Sequence, residues 1–273
     1  MLQVIKKKSH PLLFNNLKKH LDFIIERKET LDILDILSKK SVFIEGKQGT
    51  GKSCLLSIIS HEWKKSGGLV LTETGTGMVD GSWPYSINKN DVCMPLASLQ
   101  ILKNFKEFND FKSYPELKKM LENVKQDDAT KILMDVLQIL ENTDKSLLII
   151  DQVNALYSTS KYFDQESKSI LSYRLQVTNL FLNIIKSGKM KSVIACDYSN
   201  TGYQAYKFKS LIASKGGSST SRGDLVEKDL FPKELLPMDL HVFNLPNLSK
   251  NQVQEWIDEF SKQGYISKAL RMF

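Results

Sequence analysis

The segment Gly46-Lys-Gln-Gly-Thr-Gly-Lys-Ser53 has the residue types and spacing of a phosphate-binding loop, G-x-x-x-x-G-K-S, with Gly49 as an additional glycine. Each residue type has a chemical reason. Glycines let backbone N–H groups turn inward around an anion, and a helix starting near Lys52 points the positive end of its dipole at the same place. Lys52 reaches the outer phosphate oxygens of a nucleotide, and the Ser53 hydroxyl ligates Mg²⁺. With Gly46, Gln48, Gly49, Thr50, Gly51 and Cys54, these two form the candidate nucleotide-binding set. Such a site also needs a carboxylate at the end of a neighbouring strand to hold hydrated magnesium, and Asp151 closes the apolar run Leu147-Leu-Ile-Ile150. Ser53 and Asp151 are thus the candidate metal ligands.

The residue after the acid bears on turnover. In many ATPases of the additional-strand type a Glu stands there and polarises the attacking water; here it is Gln152. A neutral amide can orient water but cannot take its proton, and loss of a general base typically costs ~10²- to 10⁴-fold in rate. Slow or negligible hydrolysis is expected, with Gln152 as a candidate water-positioning residue and no confident catalytic residue. Cys196, Ser199 and Asn200 follow a third apolar run and are candidate γ-phosphate sensors, or else part of an ordinary strand-end turn. Asn88-Lys-Asn-Asp91 spells the guanine-reading N-K-x-D pattern, but it precedes Asp151 by sixty residues in a turn-rich stretch and is not read as a base-recognition motif. The choice between GTP, GDP and ATP stays open on these residues.

The elements that must position these groups follow from periodicity. Apolar residues at three- and four-residue steps predict helices over residues 15–37 with a break near Lys28. A strand over 41–45 enters the glycine loop and a helix leaves it through Trp63. Further strands are expected over 68–73, 146–151, 192–196 and 240–245, and helices over 96–108, 114–141 (broken near Asp127) and 165–186. Ser249-x-x-Gln252 reads as a capping box opening a helix over 253–260. Buried strands alternating with helices predict an α/β fold with a parallel sheet covered on both faces. Residues 210–229, rich in Gly and Ser and containing Arg222-Gly-Asp224, read as a surface loop. That tripeptide is treated as a chance occurrence.

Composition sets the outer bounds. The chain of 273 residues is 41% hydrophobic and 25% charged, which excludes disordered and fibrous classes. No apolar run reaches the ~18 residues of a membrane-spanning helix, so no membrane span is expected. Thirty-eight basic against 31 acidic side chains leave +7, compatible with either a lysine-rich solvated surface or a polyanionic partner. Only Arg27, Arg174, Arg222 and Arg271 are arginines. Because Lys contacts phosphate as a point charge and reads bases poorly, bound RNA would be held by its backbone. Three widely spaced cysteines and four histidines argue against a disulfide framework or structural zinc. The N-terminal residues are basic but lack an apolar core or a transit-peptide composition.

Several segments resemble the death-associated protein 3 family, the P-loop GTP-binding proteins of the mitochondrial small ribosomal subunit. They are Arg27-Lys-x-x-Leu31, Glu45 through Ser53, Pro95-Leu-Ala-Ser-Leu-Gln-Ile-Leu-Lys-Asn-Phe-Lys106 with Asn109, and Asp151-Gln-Val-Asn-Ala-Leu-Tyr157. Ser199-Asn-Thr-Gly202 and Val242-Phe-Asn-Leu-Pro-Asn-Leu-Ser249 add weaker support. The resemblance implies an AAA+/ASCE-like P-loop NTPase core that holds GTP or GDP, less readily ATP, with Mg²⁺. It implies docking in the mitochondrial matrix against small-subunit rRNA and neighbouring small-subunit ribosomal proteins, and contact with the large subunit through intersubunit bridges. Compared with that family, the long N-terminal extension and the rest of the C-terminal helical lid are not seen in this chain, so localisation rests on resemblance. The expected organisation is a helical lead over 1–40, a nucleotide-binding α/β domain over 41–245 and the start of a lid over 246–273. An AAA+ or STAND-type ATPase switch that remodels a protein partner is the alternative; it needs a hydrolytic carboxylate and an arginine finger, and neither can be located. A small-metabolite kinase is disfavoured by the lack of an Arg-rich lid between the loop and Asp151.

Overall fold

The computed structural model describes residues 4–6, 23–25, 27, 29–88, 91–196 and 240–262. Two short strands, β1 (Val4–Lys6) and β2 (Phe23–Ile25), pair antiparallel with Val4 opposite Ile25. Helix α1 (Glu29–Lys39) leads to β3 (Val42–Glu45), the glycine loop and α2 (Lys52–Lys65). Next come β4 (Leu69–Thr74), the short α3 (Gly75–Val79), a hairpin of β5 (Ser86–Asn88) and β6 (Asp91–Cys93), and helices α4 (Pro95–Phe108), α5 (Pro115–Met120) and α6 (Ala129–Glu141). Strand β7 (Ser146–Asp151) carries the acid and runs into a 3₁₀ turn, Val153–Tyr157. A second hairpin, β8 (Thr159–Phe163) and β9 (Ser169–Leu171), precedes α7 (Gln176–Ser187) and β10 (Lys191–Ala195). After residues 197–239, β11 (His241–Asn244) and α8 (Lys250–Lys262) follow.

Five strands form one parallel sheet in the order β11-β3-β10-β7-β4. The chain passes from β3 to the far edge at β4 and returns strand by strand through β7 and β10. It then crosses β3 to reach β11. This places β10 between the loop strand and the acid strand. All five C-terminal strand ends lie on one side of the sheet, and the direction of winding reverses next to β3, where ligands of open α/β sheets bind.

Alternating side chains fill a core on each face. Val42, Ile44, Val70, Leu147, Ile149, Val193 and Ala195 pack with Ile33 and Leu37 of α1 and Leu55, Leu56 and Ile59 of α2. On the opposite face Phe43, Leu71, Leu148, Ile150 and Ile194 meet apolar residues of α4, α6 and α7, among them Leu102, Leu133 and Phe181. Burying such a side chain stabilises the fold by ~1.5–3 kcal/mol, so the two faces together lock the sheet register that brings Asp151 toward the loop. The free edge of β4 is closed by one side chain. Asn109 accepts from Val70 N at 2.8 Å and donates to Val70 O at 2.9 Å, taking the place of a sixth strand.

Two expectations need correction. The helix expected to begin at residue 15 is replaced at Phe23–Ile25 by a strand, since a short β-branched and aromatic run cannot be told from a helix by periodicity alone. The helix expected from residue 165 begins at Gln176; before it lies the β8–β9 hairpin. There Asp164 Oδ1 accepts from the amides of Glu166 and Lys168, both at 2.9 Å, and Ser167 takes φ 60°. The side chain thus offers those amides an alternative to a helical ladder. The helix over 114–141 is broken near Asp127 as expected: residues 121–128 separate α5 from α6, and Asn123 takes φ 60°. Residues 199, 200 and 210–229 lie outside the described residues. Among the described residues, no helix is long and apolar enough to cross a membrane.

Candidate functional site

The loop departs from the end of β3. Gly51 adopts φ 86°, a left-handed conformation strained for any residue with a Cβ, and from there α2 begins at Lys52. The first intrahelical bond runs from Leu55 N to Gly51 O at 2.9 Å, so the amides of residues 52–54 have no partner within the helix. Thr50 is buried and folds its hydroxyl back onto Lys47 O at 2.9 Å. Lys52 is also buried, with Nζ donating to Gly46 O at 2.7 Å and Lys47 O at 3.0 Å. Its ammonium therefore lies over the loop, where phosphate oxygens would compete with those carbonyls.

The acid arrives from two strands away. Ser53 Oγ donates to Asp151 Oδ2 at 2.5 Å, and Asp151 Oδ1 accepts from Gln152 N at 2.9 Å. Two hard oxygen donors thus converge at the N-terminus of α2, a donor set that fits Mg²⁺ completed by water and phosphate oxygens. A pocket of about 270 Å³ opens here, lined by Gln48, Gly49, Gly51, Lys52, Ser53, Cys54, Asp151, Gln152 and Cys196. Of the candidate residues, Gly46 and Thr50 form the back of the loop rather than the lining. Ser199 and Asn200 are not among the described residues, whereas Cys196 reaches the pocket from the end of β10. Burial pushes the Cys54 thiol up, helped by the negative Asp151 and opposed by Arg27, so Cys54 stays protonated and serves as lining.

Two contributors, Thr76 and Arg27, were not singled out as site residues by sequence. Gln152 has φ 57°, and its side-chain oxygen accepts from the Thr76 hydroxyl of α3. Nothing in the spacing of Thr76 marks it, because the contact spans 76 residues of chain. Arg27 donates from Nη1 to Thr50 O, directly behind the loop. The available signals were its position shortly before the loop strand and its place in the family-like segment Arg27-Lys-x-x-Leu31. Asn88 and Asp91 pair across the β5–β6 hairpin and are not among the residues that line the pocket.

The strand order, the glycine loop after β3 and the acid closing β7 define a P-loop, AAA+-like α/β protein. Residues 88–271, about two thirds of the chain, match the family described as mitochondrial ribosomal death-associated protein 3. The chain belongs to that family. The matched span includes Asp151 and begins after the loop, so the loop assignment stands on its own motif and geometry.

A search of curated proteins gives no significant match. Among solved structures, AMPPCP-bound DnaA from Aquifex aeolicus is 15% identical with a TM-score of 0.39, over 86% of this chain and 49% of that one. A DNA replication initiation factor is 14% identical at 0.40, over 88% and 50%, and unliganded Pif1 from Bacteroides sp is 13% identical at 0.32, over 90% and 47%. The chain spans about half the length of these structures. The class is defined by the strand order and the loop, not by these distant likenesses.

Proposed function

We propose that the protein is a structural component of the mitochondrial small ribosomal subunit that holds a guanine nucleotide with Mg²⁺ and hydrolyses it slowly or not at all. The observation that carries this reading is the pairing of Ser53 with Asp151 at the head of α2, in a pocket whose neighbouring polar side chain is Gln152. The loop amides and Lys52 would bind the phosphates, and Ser53 and Asp151 would hold the metal. Magnesium, when bound, neutralises phosphate charge. Cys196, Ser199 and Asn200 would stand near the terminal phosphate. Residues 41–245 form the nucleotide unit in this reading, flanked by the segments 1–40 and 246–273.

Family membership supports a place in the mitochondrial matrix, against small-subunit rRNA, neighbouring small-subunit proteins and the large subunit through intersubunit bridges. The excess of lysine suits RNA phosphates. The test is to purify the endogenous protein, sediment it with ribosomal subunits and identify by mass spectrometry the nucleotide released on denaturation. Co-sedimentation with the small subunit and release of GTP or GDP are expected. Migration as free protein, or release of ATP alone, overturns the corresponding half.

Gln152 gives a second prediction. The Thr76 hydroxyl that holds its side-chain oxygen can hold a carboxylate equally well. Gln152→Glu should therefore place a general base beside the phosphates and raise single-turnover GTP hydrolysis by ~10²-fold or more. A variant as slow as the wild type would show that more than the base is missing.

A further inference from the structure

Arg27 joins three segments that are far apart in the chain. Its side chain is 1% exposed. Nε and Nη2 donate to the two Glu29 carboxylate oxygens, each at 3.1 Å, which fixes the guanidinium plane and balances its charge. Nη1 donates to Thr50 O in the loop, and Nη2 also donates to Pro246 O at 3.1 Å, just past β11. The Thr50 carbonyl and the Gly51 N–H belong to one trans peptide, so they point in opposite directions. Holding that carbonyl on Arg27 turns the Gly51 N–H the other way, and Gly51 lines the pocket.

The other end of the loop grips the same segment. Leu245 N donates to Glu45 O at 2.6 Å, and Gly46 packs so closely on Leu245 that a Cβ there would lie 3.1 Å from its carbonyl oxygen. Three residues beyond Pro246, Ser249 opens α8 through a capping box: Gln252 N donates to Ser249 Oγ at 3.2 Å, and Ser249 N donates to Gln252 Oε1 at 2.9 Å. Contacts therefore run from both ends of the phosphate loop to Leu245 and Pro246, and the backbone carries on from there to the first turn of α8.

We infer that Arg27 is a positioning residue that couples nucleotide occupancy of the loop to α8. The inference rests on the nucleotide reading above. Phosphate drawing Lys52 away from the carbonyls of Gly46 and Lys47 changes the loop at the residue that touches Leu245, and Arg27 carries the change at Thr50 to Pro246. Lysine cannot replace it, because a single ammonium lacks the planar fork that meets Glu29, Thr50 and Pro246 together.

The experiment is hydrogen exchange at the amides of residues 247–262 with and without GTP and Mg²⁺, each protein at saturation by its own Kd from calorimetry. In the wild type, nucleotide should slow exchange by roughly tenfold, about the effect of one additional hydrogen bond. Arg27→Lys and Arg27→Met should bind GTP about tenfold to hundredfold more weakly and lose the nucleotide-dependent difference even when saturated. Arg27→Lys keeps the charge and serves if Arg27→Met does not fold. Ile33→Val, which loosens the α1 core and leaves the clamp intact, should lower the melting temperature and keep the difference. Binding with unchanged exchange in the wild type, or an Arg27 variant that retains the full difference, overturns the coupling alone. Failure of the wild type to bind GTP, GDP or ATP overturns it together with the nucleotide reading.

Discussion

Replacing Lys52 by alanine is expected to abolish the rise in melting temperature that GTP with Mg²⁺ gives the wild-type protein. The variant keeps the loop glycines, the N-terminus of α2 and the Ser53–Asp151 pair, so any residual affinity comes from those groups. What it loses is the loop ammonium that lines the pocket; Lys47, the other loop lysine, is not part of the lining. A hydrogen bond to a charged group is worth ~1.5–3 kcal/mol, and two such bonds correspond to ~10²- to 10⁴-fold in affinity. At a nucleotide concentration of ~100 Kd the wild type gains ~2.7 kcal/mol, a shift of roughly 5–10 °C for a chain of this size, while the variant at the same concentration gains almost nothing. Its stability without nucleotide should fall only slightly, by the loss of the bonds to Gly46 O and Lys47 O. Thermal unfolding monitored by circular dichroism reads both numbers. Equal stabilisation of variant and wild type by GTP would remove the loop from the nucleotide site.

The second large effect is on stability against pH, and it comes from a residue outside the pocket. Glu73 stands on β4 two residues after Leu71, on the face that packs against the larger core cluster, and is buried. Its Oε1 has no hydrogen-bond partner among the described residues. Burial raises its pKa from 4.5 to about 8, and the Thr74 amide offsets only part of that rise. Because the folded pKa lies above the unfolded one, the folded state binds the proton more tightly. Its contribution to stability is complete below pH 4.5 and is lost progressively as pH rises to about 8. Across that window the loss amounts to a few kcal/mol. Glu73→Gln removes the titration. The stability of the variant relative to the wild type should therefore climb by a few kcal/mol between pH 5 and pH 8 and level off above. Chemical denaturation at several pH values measures it, and parallel curves for the two proteins would refute the buried, protonated carboxyl.

These two residues differ in how far the sequence announces them. Lys52 sits in a contiguous motif, and the strand before it and the helix after it are visible as apolar runs of the right period. Each of those features depends only on neighbours within about a dozen residues. Asp151 was legible for the same reason, as a polar residue ending a buried run. Glu73 was not, because an acid near the end of a predicted strand is ordinarily exposed; its burial depends on distant elements, α3 and α4 among them, packing on β4. The strand at Phe23–Ile25 was misread because three residues carry no periodicity and the partner strand lies 17 residues upstream.

The phosphate loop motif, the acid, the glutamine that follows it (Gln152), the alternation of strands and helices and, through short ordered motifs, the family are legible in the sequence alone. All of these are written in stretches of local chain. The order β11-β3-β10-β7-β4 was decided only by the tertiary structure. That order sets Ser53 on Asp151 across 98 residues and Thr76 on Gln152 across 76. Arg27 lies against Thr50 and Pro246 because the lead into α1, the loop and the end of β11 meet at one corner of the sheet. Such contacts depend on strand register and on which faces the helices cover, and packing over the whole domain fixes both.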